Sequence, residues 1–348
     1  MSKFCVKPFD NFEVDTNGDV RVCCGMWLPD IIGNISEEDI QDIFDSDKAR
    51  KLRRSIIDGS FKYCNHQLCP HLVNNDLPEK KDMVGDRYKT EEASFPVFFN
   101  FCNDASCNLS CPSCRISKHN LLKGKIYKQK KITNDKIIEY VLKNAKENPN
   151  YNIYLHITGS GDPFASRIYR EFLFGFDGRK TPNIKINLQT NGVMFSHVYW
   201  KRMYKCQENI CSVQVSFDAA TSDTYSITRR DGDWDSLLQN YAFLSALRIN
   251  NKISSLRADF VVQDYNYREM PDFAESVFYI GQGTDNIVFQ KIVNWGTYSE
   301  EEFKERDICN IEHPEHDDFL EILRDDRLRE PRICWGNVAP YYNKAHTK

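Results

Sequence analysis

The chain has 348 residues, 41% of them apolar, and its 46 lysines and arginines against 50 aspartates and glutamates leave a net charge of −4. That is enough apolar content for one large core and a small second domain, and too little net charge to draw the whole molecule onto nucleic acid or an anionic membrane. No apolar run reaches eighteen residues and no charged-then-apolar leader opens the chain, so neither a membrane span nor secretion is expected. The expected compartment is the cytoplasm, where thirteen cysteines point to metal binding rather than disulfides.

In chain order, Asn17-Gly18 between apolar-alternating runs predicts a hairpin, which would carry Cys5 and Cys23 on neighbouring strand ends. A helix-like segment over 40–57 follows, then Cys64 and Cys69. From Phe95 onward short β-rich runs alternate with helical ones, the pattern of a parallel sheet with crossover helices. Strands are expected at 97–102, 153–158, 184–190, 212–218, 256–262 and 286–291. One helix, capped by Thr133 and ending before Pro149, puts Ile137, Ile138, Val141, Leu142 and Ala145 on one face. A second begins near Asp235 and presents Leu237, Leu238, Tyr241, Leu244 and Leu247 to a core. Six such units suit a partial (β/α)6 barrel, and the acidic tail reads as helical around 317–328.

In a barrel of this kind the active site lies at the C-terminal ends of the strands, and there the polar residues gather. After the first strand come Cys107, Cys111 and Cys114. The second ends in Gly159, Ser160, Gly161 and Asp162, the third in Asn191 and Gly192, and the fifth and sixth in Gln263 and Gln290. On the fourth, Ser216 and Asp218 are two residues apart and so expected on one side. Each has a plainer reading. Gly159 to Gly161 could be a simple tight turn, Arg229-Arg230 a solvated loop pair, and the six lysines between Lys118 and Lys131 either a solvated face or a hold on an anionic substrate.

Three cysteines offer one thiolate fewer than a cubane iron–sulfur cluster normally takes, which leaves one iron open to a ligand. The run Cys107-Asn-Leu-Ser-Cys111-Pro-Ser-Cys114 resembles the signature of the radical S-adenosylmethionine (radical SAM) superfamily. The resemblance implies that the cysteines hold a four-iron four-sulfur cluster. It further implies that S-adenosylmethionine binds the open iron and is cleaved reductively to a 5′-deoxyadenosyl radical. Gly159-Ser160-Gly161-Asp162-Pro163 is similar to the family's Gly-Gly-Glu-Pro segment, with Asp162 in the acidic position facing the cofactor's amino group. Asn191, Ser216, Asp218 and Gln263 fall where relatives contact the cofactor, and Arg229, chosen over Arg230, is implied as a partner of its carboxylate. Ser113 departs from the aromatic residue common before the third cysteine.

The earlier cysteines Cys5, Cys23, Cys64 and Cys69 resemble the ligand set of a twitch, or half-SPASM, module, which implies an auxiliary four-iron four-sulfur cluster. Zinc is the rival here, since Cys64-Asn-His66-Gln-Leu-Cys69-Pro-His71 offers thiolates and imidazoles together. Cys24 is a spare or substitute ligand. Cys102, Cys206, Cys211 and Cys309 read as buried apolar residues, and Cys334 as a candidate donor of a hydrogen atom to a substrate radical. The expected organisation is a twitch-like module at 1–80, a linker at 81–94, a radical SAM barrel at 95–300 and an unassigned extension at 301–348. The resemblance implies a flavodoxin- or ferredoxin-like reductant and a substrate that is either a peptide or a small alcohol or sugar. A non-catalytic iron–sulfur electron carrier or a zinc-stabilised binding protein is the alternative. Membrane and nucleic acid are not expected partners.

Overall fold

A computed structural model describes residues 3–83 and 86–347; Val84 and Gly85, within the expected linker, lie outside the described residues. Six parallel strands run in chain order: β4 (Phe98–Phe101), β5 (Ile153–Ile157), β6 (Ile184–Thr190), β7 (Ile210–Ser216), β8 (Ser255–Val262) and β9 (Asn286–Lys291). On the far side of β4 lie β1 (Asn11–Val14), β2 (Asp19–Arg21) and β3 (Gly33–Asn34), and beyond β9 lies β10 (Ile333–Cys334). The architecture is the expected partial (β/α)6 barrel, with a cysteine-rich N-terminal module whose β1 continues the sheet parallel to β4. Among the described residues no helix is long and apolar enough to cross a membrane.

Strand alternation assigns the faces. Phe12, Phe99, Phe101 and Phe260 point outward and meet Phe44, Tyr140, Tyr169 and Phe273 on the surrounding helices. The other face is the lumen, and it is polar. Asn100 donates to Glu13 across β4 and β1 (2.7 Å), His156 meets Gln189 (3.0 Å), and Arg257 reaches Gln214 (2.9 Å) while pairing with Asp259 (2.6 Å). Barrel interiors are usually filled by apolar layers, so this hydrogen-bonded belt marks the lumen as a place for a polar guest.

Several local expectations change. The helix expected to start at Thr133 spans Lys125–Glu147, because 125–132 contains no breaker and Gly124, at φ +96°, supplies the abrupt entry. The 40–57 segment is two helices, Ile40–Phe44 and Asp47–Ile57, divided where Ser46 caps the second through the Ala49 amide. Cys5 is not on a strand end: the one-turn helix Lys7–Asp10, begun by Lys7-Pro8, separates it from β1. Strand β7 stops at Ser216, and Asp218, at φ +59°, has already left the extended path.

The N-terminal module is lashed to its surroundings. Arg53, fully buried, donates to the Pro8, Phe44 and Glu91 carbonyls. In the stretch expected as a linker, Arg87 holds Asp10 and the Phe9 carbonyl (2.9 Å). Asn74 donates to the Gly336 carbonyl (3.2 Å), so the module also touches the segment beyond the other edge of the sheet.

Candidate active site and auxiliary cysteine cavity

The loop after β4 is fixed before any ligand arrives. Asp104, fully buried, accepts from the Ser106 amide (3.0 Å) and hydroxyl (2.8 Å) and from Ser166 (2.7 Å), while its own amide donates to Tyr169 (3.0 Å). The Cys107 amide pairs with the His119 carbonyl (2.7 Å), and Ser110 binds the Arg230 carbonyl (3.1 Å). Cys107 and Cys111 are buried and Cys114 is exposed. Donors surround the sulfurs: Leu109 N–H (3.5 Å) and Asn191 Nδ2 (3.7 Å) at Cys107, Arg229 Nη1 (3.9 Å) at Cys111, and Arg115 Nη2 (3.3 Å) at Cys114. Burial, with Asp162 nearby, pushes the Cys107 thiol up to about 12, against the opposing charge of Arg115 and the Leu109 amide.

The 158–163 loop closes against the cysteine loop. A Cβ on Gly161, at φ +87°, would stand 2.6 Å from the Ser106 carbonyl oxygen, and one on Gly159 would stand 2.4 Å from Cys102 Sγ. Both positions therefore need glycine, and the plain-turn reading does not account for the close approach. Asp162 is fully buried, and its oxygens accept from the Phe164 and Ala165 amides (2.9 and 3.2 Å), Thr190 (2.7 Å) and the Asn191 amide (2.9 Å). Burial raises its pKa, and these donors oppose the rise. Four donors use the lone-pair capacity of a carboxylate, so its work here is to tie the ends of β5 and β6 together. Ser160 donates to the Cys102 carbonyl (2.9 Å).

Of the two arginines, Arg229 faces the cysteines and pairs with buried Asp218 (2.7 Å), while Arg230 is spent on Ser110 (3.1 Å) and the Ile116 carbonyl (3.0 Å). Burial works against the Arg229 charge, and Asp218 more than offsets it, raising its pKa. Among the described residues its Nε is buried without a partner, as is the Tyr225 hydroxyl. Gln263 is buried on a turn whose Asn266 also binds the Asp218 carbonyl (2.9 Å), and Ser216 is buried at the end of β7. Cys334 lies elsewhere, exposed on β10 and paired with Val288, six strands from β4. Cys206 and Cys309 are buried, whereas Cys102 and Cys211 are only half-buried.

In the N-terminal module Cys5, Cys23, Cys64 and Cys69 line one cavity, with Lys7 and His71 at its wall and otherwise apolar neighbours such as Leu28 and Phe61. Lys7 sits over the Trp27 ring (5.2 Å). Burial raises the thiol pKa of Cys5, Cys23 and Cys64, the last to about 12. The thiols stand around a space; among the described residues no three His, Cys, Asp or Glu side chains lie close enough together for a single ion. His66 is engaged with the Phe61 carbonyl (3.2 Å), and Cys24 does not line the cavity.

Residues 105–277 match the model of the radical SAM superfamily, and residues 5–70 match SPASM, an iron-sulfur cluster-binding domain. The chain belongs to the radical SAM superfamily. A solved structure similar to it is that of HydG, described as a maturase of the FeFe-hydrogenase, at 13% identity and a TM-score of 0.32, covering 58% of this chain and 46% of that one. The chain thus spans under half of HydG's length, and no curated protein matches it. A radical SAM domain brings a four-iron four-sulfur cluster with S-adenosylmethionine, and the SPASM domain an auxiliary iron–sulfur cluster. The residues present fit both groups. Three thiols share one preorganised loop beside the unpartnered Arg229 Nε, and four more surround one cavity.

The lumen belt of Glu13, Asn100, His156, Gln189, Gln214 and Arg257 was not anticipated from the sequence. Its signal was available. Strands of a parallel sheet covered on both faces read as continuous apolar runs, yet β5, β6 and β7 alternate, with polar His156, Asn187 and Gln214 between apolar neighbours and Gln189 after Leu188.

Proposed function

We propose that this radical SAM enzyme removes a hydrogen atom from a polar substrate held in the barrel lumen, either a peptide or a small alcohol or sugar. The observation that carries the reading is the meeting of Cys107, Cys111 and Cys114 with Asn191 and the buried Arg229–Asp218 pair at the strand ends. When bound, the cluster and S-adenosylmethionine supply a 5′-deoxyadenosyl radical. Arg229 offers its free Nε to the cofactor's carboxylate. Because Asp162 is committed within the loop, backbone carbonyls of the 158–161 turn are the acceptors we assign to the cofactor's amino group. Asn191, Ser216, Asp218 and Gln263 shape the rest of that pocket.

Cys5, Cys23, Cys64 and Cys69 are the four ligands we assign to the auxiliary cluster, which would leave it no open iron and suit it to accepting the electron that a substrate radical loses as it is oxidised. If the reaction is an epimerisation, Cys334 is the residue we assign to return a hydrogen atom; its register with Val288, on the same side of the sheet as Asp259, supports that reading, although it stands at the opposite edge of the sheet from the cysteine loop. We read residues 1–80 as the module, 81–94 as its linker, 95–300 as the barrel and 301–348 as an extension.

The test is anaerobic reconstitution followed by dithionite and S-adenosylmethionine. Formation of 5′-deoxyadenosine is expected, and its persistence in a Cys107→Ala, Cys111→Ala, Cys114→Ala variant would rule the reading out. Product mass separates the outcomes: two hydrogens lost for oxidation, or unchanged mass with one solvent deuterium for epimerisation.

A further inference from the structure

Residues 115–134, directly after the cysteine loop, hold Arg115, six lysines and no carboxylate. Taking their +7 from the chain's −4 leaves −11 on the other residues. Part of this charge is spent internally. Lys118 lies 3.6 Å from Asp231, Lys131 pairs with Asp135 (2.9 Å), and Lys130 binds the Thr16 and Asn103 carbonyls. Lys123, Lys125 and Lys128 are exposed and, among the described residues, their side chains form no hydrogen bond or ion pair. Apolar side chains are exposed on the same stretch: Ile116 is 81% exposed and Ile126, between Lys125 and Lys128, 62%.

This surface is attached to the cluster loop. His119 pairs with Cys107 across an antiparallel bridge, the Leu121 amide donates to Ser106 (2.9 Å), and Cys114, the exposed thiol of the three, immediately precedes Arg115. Exposed apolar side chains interspersed with unpaired lysines, on the segment that follows the most exposed cysteine of the loop, have the composition of a transient electron-transfer contact.

We propose that the 115–132 surface docks the reductant, a small electron carrier with an acidic face around its redox centre, such as a flavodoxin or ferredoxin. The inference rests on the radical SAM reading of the Cys107–Cys114 loop. The electron balance is simple: the carrier loses one electron, the cluster gains one, and no bond changes at the surface. A long polyanion fits less well, because the −11 elsewhere would repel any strand extending past the patch, whereas a small carrier touches the patch alone.

The experiment compares the reconstituted protein with a Lys123→Glu, Lys125→Glu, Lys128→Glu variant. A second variant, Lys48→Glu, Lys51→Glu, Arg54→Glu, makes the same charge change on the exposed face of helix Asp47–Ile57. Binding of a purified flavodoxin and of a two-cluster ferredoxin is measured by interferometry, and 5′-deoxyadenosine formation is followed with each carrier and with dithionite. The patch variant should bind the preferred carrier roughly tenfold or more weakly at low salt. The difference should largely close near 1 M salt, where screening acts within about 3 Å. Dithionite-driven formation should not change. Equal losses in the two variants, no loss in the patch variant, or no binding of either carrier to the parent protein would overturn the proposal. So would tighter binding of a single-stranded RNA through the same three lysines. Absence of dithionite-driven product in the parent protein would instead overturn the radical SAM reading, and the binding comparison would still decide the surface.

Discussion

Cys107, Cys111 and Cys114 lie within eight residues on a loop pinned by Asp104 and Ser106, whereas Cys5, Cys23, Cys64 and Cys69 are gathered across 65 residues into a cavity with apolar walls. The first set keeps its shape through hydrogen bonds that do not involve the sulfurs. The second depends on a hairpin, a one-turn helix and the helix Asp47–Ile57 arriving together, in a module that shares Phe12, Val20, Ile43 and Phe44 with the barrel core and keeps Phe4, Phe9, Ile56, Phe61 and Leu77 as a separate small cluster. A locally held site can lose its metal and remain folded. A distributed site couples metal to folding, because no preformed site exists in the unfolded chain.

The largest expected effect tests that contrast directly. Cys23→Ala and the Cys107, Cys111, Cys114 triple alanine variant should each lose about four irons per chain, the content of one cubane. Only Cys23→Ala should also destabilise the N-terminal module, seen as early proteolysis between residues 1 and 80 and a lowered first thermal transition. Iron analysis beside calorimetry checks this, and matching thermal behaviour in the two variants would break the comparison.

A smaller effect sharpens what holds the barrel site. Arg229→Ala leaves the Asp218 carboxylate buried without its partner, at a cost of about 3–5 kcal/mol in urea unfolding. The double replacement Arg229→Met with Asp218→Asn should recover most of that stability and still bind S-adenosylmethionine poorly in calorimetric titration. Recovery of binding with recovery of stability would show that Arg229 only supports the loop.

The smallest effect belongs to the lumen between the two sites. Burial lowers the pKa of His156 below its ordinary value of about 6.5. The unfolded chain takes up a proton near that pH and the folded chain resists, so this contribution is present above 6.5 and lost as pH falls toward the depressed folded value. The urea midpoint should drop between pH 7 and pH 5.5, and His156→Gln should flatten the drop. An unaltered profile would remove His156 from the account.

Much of this fold could be read in advance wherever the information is local. Strands β6 and β9 fall on the expected residues because apolar side chains alternate or cluster there between turn formers, and the glycines of 159–161 stand out because few other residues accept their backbone positions. The start of the Lys125–Glu147 helix was misplaced for a local reason too. Thr133 looks like a cap, but capping chemistry is also tolerated inside a helix when the residues before it carry no breaker.

The cysteine spacing, the strand periodicity and the run of lysines were set by the sequence, since each depends on neighbours a few residues apart. Tertiary structure alone decided that β1 would extend the barrel sheet beside β4, that Asp162 would be consumed by Thr190 and Asn191, and that Glu13 and Asn100 would share a hydrogen bond across 87 positions. A side chain's residue type states which bonds it can make. Which partner it finds depends on chain segments whose meeting is set by burial of the whole core, and no local pattern records it.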